Sequence, residues 1–258
     1  MEQVLYLQGI QNLEMWNPSY ERLYFGTEFC DRKLPSIKEI EKIIDFTTLR
    51  SSKFTMVLPF ISQGSVEKIK SVLAFIASAV ESCEVVFNDW GGFQLIQNYD
   101  RLVPVLGRLL TKQRRDPRLG KYVQKFSSDT VAYFQESYID SAYSEDFLLS
   151  KGIERIEFDN TIIGLRRNGK IKGSLYYPYC FLTTTRYCQT AMCEKQLDYY
   201  RWIKPCQKEC LKYEFKLSHQ SIPLPLHMKG NATFYMSDKI PDNLEALNVD
   251  RMVKIAGL

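Results

Sequence analysis

Histidine is almost missing from this chain, with two in 258 residues, His219 and His227, both in a late proline-rich stretch with no obvious acidic partner. Such a pair gives no support to an H-E-x-x-H metalloprotease helix or to imidazole acting as a general base, and neither residue is assigned a role. A glycine-rich phosphate loop and a G-x-S-x-G nucleophile elbow are also missing, as is the C-x₃-C-x₂-C signature of radical-SAM enzymes. No apolar run reaches the roughly 20 residues that cross a bilayer, and the N-terminus, MEQVLYLQGIQNLEMW, has no basic leader followed by an apolar stretch. The expectation is a cytoplasmic protein without a secretory signal or membrane span. No fixed-period repeat or low-complexity linker divides residues 1–258, which are read as one domain. The net charge of +4 is mild and says little about partners. One dense basic run, Lys112-Gln-Arg114-Arg115-Asp-Pro-Arg118, reaches towards Lys121 and Lys125 and is read either as a solvated loop or as a contact for nucleic acid or an acidic partner.

Cysteine is what the chain has in concentration. Five of its seven cysteines, Cys180, Cys188, Cys193, Cys206 and Cys210, fall within the forty residues Ser174 to Tyr213, at intervals that fit neither a helix nor a strand. In a reducing compartment disulfides do not persist, and an odd total cannot pair fully. Soft thiolates converging on one point describe an iron-sulfur cluster or a tetrahedral zinc. The set C-x₄-C-x₁₂-C-x₃-C from Cys188 to Cys210 is compatible with a structural zinc. Cys83, read at the end of a helix, and Cys180, amid Tyr and Phe, are expected to be small buried core residues.

Short Val-, Ile-, Tyr- and Phe-rich runs alternate with amphipathic segments, the pattern of repeated βα units. Strands are predicted over Val4 to Ile10, Arg22 to Phe29, Phe54 to Phe60, Glu84 to Phe87 and Leu102 to Leu106. Further strands are predicted over Thr130 to Phe134, Ile153 to Phe158, Tyr176 to Thr184 and Arg251 to Ile255. Helices are predicted after Ser36, over Ser65 to Ser82, briefly from Phe93, and over Ser144 to Lys151 with Ser144 as N-cap. Glu214 to Leu217 and Ala232 to Met236 are read as a hairpin, and Asn231-Ala-Thr as a chance sequon. About eight βα-like strands indicate an α/β fold, a compact (β/α)₈ TIM-like barrel with short helices and none after its last strand. In such a barrel strand C-termini surround one mouth, so Cys30, distant in sequence, can join the others as a fourth thiolate.

Arg22 to Cys30 (RLYFGTEFC), Asn88-Asp89-Trp90-Gly91, Arg186-Tyr187-Cys188 and Cys206-Gln-Lys-Glu-Cys210-Leu-Lys-Tyr213 resemble the collagenase-like peptidase family U-thirty-two, most of all its small UbiV-like iron-sulfur branch. The resemblance implies a 4Fe-4S cluster held by Cys30, Cys188, Cys206 and Cys210. Cys193 is an alternative to Cys188: the strand end and Arg186 match Cys188, whereas the interval of thirteen positions to Cys206 matches Cys193. It further implies a subunit of an oxygen-independent redox or hydroxylation system, partnered by a larger UbiU-like member. No nucleophile or base supports the peptidase label. Glu28, Asp89, Glu157 and Asp159, near predicted strand ends, are read either as mouth-lining or as turn and capping residues. The alternative function is a zinc-stapled binding module that meets RNA or protein through the basic run.

Overall fold

The computed structural model describes residues 1–194 and 206–258, so part of the cysteine-rich segment, 195–205, lies outside the described residues. Strand β1 (Glu2–Leu7) leads through a 3-10 turn at Ile10–Met15 to β2 (Arg22–Gly26). Helix α1 (Ile37–Thr48) begins at Ser36, whose hydroxyl accepts the Glu39 N–H at 3.3 Å while the Glu39 carboxylate accepts the Ser36 N–H at 2.8 Å. That reciprocal cap stabilises the helix start by about 1 kcal/mol. Ile40, Ile43 and Ile44 share its buried face, each contributing roughly 1.5–3 kcal/mol. The pattern repeats through β3 (Lys53–Val57), α2 (Val66–Ala79), β4 (Cys83–Phe87), α3 (Trp90–Ile96) and β5 (Leu102–Leu106). Three short helices, α4 (Leu119–Tyr122), α5 (Ser128–Gln135) and α6 (Ala142–Ser150), fill the way to β6 (Arg155–Asp159), and β7 (Lys172–Tyr177) follows with no helix between. Strands β8 (Tyr179–Thr184), β9 (Phe215–Leu217), β10 (Leu226–Lys229) and β11 (Ala232–Met236) then form a separate antiparallel sheet, before β12 (Val249–Ile255) returns.

Eight parallel strands close the barrel in the order β1-β12-β7-β6-β5-β4-β3-β2, as the (β/α)₈ reading expects. The eighth is β12, separated from the seventh by the inserted sheet of order β8-β11-β10-β9. Tyr176 to Thr184 is therefore not one strand. Pro178 has no N–H to continue the ladder, so β7 stays in the barrel while β8 pairs with β11. Thr130 to Phe134 lies in α5, because the Ser127 hydroxyl accepts the Thr130 N–H and starts a helix that outweighs the strand propensity of those residues. The N-cap of α6 is Ser141 rather than Ser144, and Cys83 begins β4 rather than ending a helix. Glu214 to Leu217 and Ala232 to Met236 do not pair directly, since β10 lies between β9 and β11. The strand expected over Arg22 to Phe29 stops at Gly26, where φ is 135° and a Cβ would run into the Val57 carbonyl. Only glycine fits there, and the turn it permits sends the chain towards Cys30.

The barrel interior is not filled by aliphatic residues alone. Near the start of the strands Arg22 and Arg251 pair with Glu2 and Glu84. Tyr6, Tyr24 and Tyr176 pack edge to face above them, with centroids 6.0–6.4 Å apart. The Tyr24 hydroxyl accepts from Arg251 at 2.6 Å, and the Tyr176 ring lies 4.4 Å from the Arg108 guanidinium carbon. Among the described residues no helix is long and apolar enough to cross a membrane.

Candidate metal centre at the barrel mouth

The centre of the mouth is closed by charge. Arg108, fully buried, donates from Nε and Nη2 to both Glu28 oxygens at 2.7 Å and from Nη1 to Asp159 Oδ1 at 2.7 Å. Arg115 reaches Asp159 Oδ2 at 2.6 Å, and the Phe181 N–H donates to Oδ1 at 2.9 Å. Burial disfavours the charged Arg108 guanidinium, but Glu28 and Asp159 outweigh it and hold its pKa above the ordinary value. Both carboxylates are engaged in these pairs. Of the other two acids near strand ends, Asp89 caps α3 by accepting the Gly92 N–H, and Glu157 sits deep in the barrel under the Tyr24 hydroxyl.

The open space is off centre, between the C-terminal ends of β1, β2 and β3 and the turn joining β10 to β11. It is a cavity of about 1110 Å³, and Cys30, Cys188, Cys206 and Cys210 all line it. Cys193, five positions beyond Cys188, is exposed and is not among the lining residues. Cys83 and Cys180 are buried in β4 and β8, and burial pushes the Cys83 thiol up to about 12, as suits inert core residues. Cys188 follows β8 of the inserted sheet, so the barrel strands deliver only Cys30. The four thiols share a wall without closing on one point: among the described residues no group of three or more His, Cys, Asp or Glu side chains stands at metal-holding distance.

The local chemistry of the thiols nonetheless suits bound thiolates. Cys30 leads into a 3-10 turn at Asp31–Lys33, where the Lys33 N–H donates to the Cys30 carbonyl at 3.1 Å. The Lys208 N–H donates to Cys206 Sγ at 3.4 Å, with Lys208 held in the left-handed region at φ 62°. Amides aimed at sulfur are a protein's means of tuning an iron-sulfur cluster. Burial raises the Cys30 and Cys210 thiols above their ordinary values; for Cys210, Lys33 opposes this while the Cys188 and Cys206 sulfurs add to it. A bound cation is what would offset that cost.

Two polar residues that the sequence reading passed over hold the cysteine-bearing loops together. Buried Asn231 donates from Nδ2 to the carbonyl of Phe29, next to Cys30, and to the carbonyl of Thr185 at 2.8 Å, three residues before Cys188. Its own carbonyl accepts from the Thr185 N–H and the Thr184 hydroxyl, each at 3.0 Å. Glu209, inside the C-x₃-C pair, accepts the Gln207 N–H at 3.0 Å and the Met192 N–H at 2.8 Å, tying that pair to the loop of Cys188. The only sequence signals were an apparent sequon and a charged residue between two cysteines. Gly230, at φ 66°, turns β10 into β11 directly over Cys210, where a Cβ would stand 3.5 Å from that residue's Cβ.

The basic run is engaged rather than free. Arg114 stacks 3.8 Å over the Tyr133 ring and donates to the Tyr133 and Glu136 carbonyls; Arg115 pairs with Asp159, and Arg118 grips Asp116. Lys112 and Arg118 of the run remain exposed. His227 pairs with Glu214 at 2.6 Å, the partner that sequence inspection did not find, and His219 with the Ser221 hydroxyl at 2.7 Å; neither lines the cavity.

No family model matches the chain, and no curated protein does. Among solved structures it is similar to the U32 peptidase Mk0906, with a TM-score of 0.48 and 13% identity over 100% of this chain and 93% of that one. It is also similar to a glycoside hydrolase family 18 N-acetylglucosaminidase from Paenibacillus barengoltzii, with a TM-score of 0.36 and 7% identity over 98% and 94% of the two chains. A third similarity, to Streptococcus suis SuiB, has a TM-score of 0.29 and 14% identity over 66% of this chain and 42% of that one. At such identities none of the three assigns an activity to this chain.

Proposed function

We propose that the cavity holds a 4Fe-4S cluster on Cys30, Cys188, Cys206 and Cys210, and that the protein is a non-proteolytic, UbiV-like subunit of an oxygen-independent redox or hydroxylation system with a larger UbiU-like partner. The observation that carries this reading is a shared cavity. Four cysteines scattered over some 180 residues line one cavity, while the other three do not. When bound, the cluster supplies one-electron chemistry or an oxygen-sensitive structural core. The chain's own part is to present thiols, donate the Lys208 amide to Cys206, and hold the loops in register through Asn231 and Glu209.

Ser62 and Ser65 are the serines that line the cavity, the Ser62 hydroxyl donates to Asp31, and neither His219 nor His227 is among the lining residues. The test is the iron, sulfide and zinc content of anaerobically purified protein, with its visible spectrum. Near four irons and four sulfides per chain, absorbing broadly around 400 nm, is expected, lost in Cys206→Ala and Cys210→Ala and kept in Cys83→Ser. One zinc and no colour, or a cluster unaffected by those two substitutions, would overturn the assignment.

A further inference from the structure

Helix α6 is more apolar than its burial requires. Its nine residues, AYSEDFLLS, bury only Glu145 and Leu148, while Tyr143, Phe147 and Leu149 stay exposed. A helix with apolar side chains all round is one that is covered on more than one side, and the barrel covers one. The uncovered side belongs to a continuous aromatic stripe. Tyr143 and Phe147 stand one turn apart on α6. Beyond Phe147 the stripe continues to Trp90 at the start of α3, the two ring centroids 5.6 Å apart. In the other direction the Ser144 hydroxyl donates to the Tyr138 carbonyl at 3.2 Å, which holds Tyr138 against the start of α6. Tyr133 and Tyr138 in turn share the Arg114 guanidinium, 3.8 and 4.8 Å from their ring centres.

Trp90, Tyr133, Tyr138, Tyr143 and Phe147 are 40%, 53%, 61%, 93% and 48% exposed. With about 200 Å² for each side chain, roughly 600 Å² of aromatic surface is left to water. Monomers seldom expose a larger contiguous patch, and this one is most of the roughly 800 Å² that each partner gives to a stable interface. The charges on the stripe select the partner. Asp129 lies one turn before Tyr133 and Asp146 one turn after Tyr143, against Arg114 on Tyr133 and Lys151, whose ammonium is 5.9 Å from the Phe147 ring. Glu136 and Arg166 pair with each other at 3.7 Å. A face of one sign would repel its own copy and attract a partner of the other sign. This face carries both signs in balance, so an identical copy turned by a two-fold axis sets acids of one chain against cations of the other.

We infer that the stripe is the interface of a two-fold homodimer, with Tyr138, Tyr143 and Phe147 at its centre. It lies on the flank of the barrel that carries α3, α5 and α6 and shares no residue with the lining of the thiol cavity, so the inference does not rest on the cluster reading.

The test is sedimentation velocity of the full chain between about 1 and 200 µM, under reductant so that exposed Cys193 does not cross-link two copies. The expected Kd is about 10 µM, the weak end for interfaces of this size, and the average mass should rise from near one chain to near two across that range. Tyr143→Asp and Phe147→Glu should each weaken dimerisation at least about 100-fold, because the two-fold axis buries each new charge twice. Tyr143→Asp should keep the wild-type melting temperature, since that side chain is 93% exposed in the single chain. Tyr143→Phe keeps the ring and should stay within about threefold of the wild-type Kd. Leu49→Asp, at the end of α1 and 82% exposed, adds the same charge outside the stripe and should change nothing. A single-chain mass at about 200 µM would overturn the inference and leave the stripe to a different protein. A dimer indifferent to Tyr143→Asp and Phe147→Glu would overturn it as well, as would a mass that keeps growing past two chains, the mark of an open head-to-tail contact.

Discussion

Asn231→Ala is the perturbation that most directly tests how the cysteine-bearing loops are held together. The amide donates to two carbonyls on segments far apart in sequence, Phe29 at the end of the β2 turn and Thr185 at the end of β8. Alanine removes both donors and leaves both acceptors. Phe29 is 5% exposed, so its carbonyl is left unsatisfied at a cost of about 1–3 kcal/mol. Thr185 is half-buried, and water replaces much of its bond, adding about 0.5–1 kcal/mol. The bonds that the Asn231 backbone carbonyl accepts survive. The expected loss is about 2–3 kcal/mol, which for a chain of this size lowers Tm by roughly 5–10 °C. Urea denaturation followed by circular dichroism measures it. Because the contact fixes Cys30 relative to Cys188, iron bound after anaerobic reconstitution should fall as well, whereas a stability loss from elsewhere in the barrel need not lower it. Asn231→Asp, which turns acceptor oxygens on both carbonyls, should be worse than alanine. A stability change under about 0.5 kcal/mol in the alanine variant, with full iron uptake, would refute the idea that this residue clamps the site.

Arg108→Met removes the cation between Glu28 and Asp159 and should cost about 3–5 kcal/mol at neutral pH. Burial already holds the Glu28 carboxyl above its ordinary value against the pull of Arg108, and with the guanidinium gone it rises further in the folded state. Protonation then favours the fold, and the variant should recover stability as pH falls, as urea midpoints at pH 7 and pH 5 would show. Glu157 is pushed up to about 7, first by burial, with Arg251 opposing, and its Oε2 has no partner. A raised folded pKa contributes stability that is full below the unfolded value and is lost as pH rises towards 7. Glu157→Gln should therefore match the wild type near pH 4 and exceed it by about 2–3 kcal/mol at pH 8; equal pH profiles for the two proteins would refute this.

The sequence carried local information well where one physical rule dominated. Ile37, Ile40, Ile43 and Ile44 at helical spacing behind Ser36 named α1 and its cap, because a reciprocal cap and one apolar face are both local properties. The errors came where a local signal met a longer-range competitor. Thr130 to Phe134 has strand-like composition but is started as a helix by Ser127, and Tyr176 to Thr184 has unbroken strand propensity but is divided at Pro178 between two sheets. Grouping Cys30 with the late cysteines was within reach, since in a barrel the strand ends ring one mouth. That Cys188 reaches the cavity from the inserted sheet was not, because propensity does not say which sheet a strand joins.

By itself the sequence determined the rhythm of the elements, the count that closes a barrel, and which residue type gathers in one segment. Those follow from periodicity, capping and composition, which neighbouring residues set among themselves. Tertiary structure alone decided that four of seven thiols share a cavity, that Asn231 and Glu209 clamp their loops, that Arg108 closes the barrel axis, and that Arg115 of the basic run turns inward to Asp159. These depend on burial and on partners tens to hundreds of residues away. A buried charge or amide takes its role from whatever the fold places within hydrogen-bonding distance.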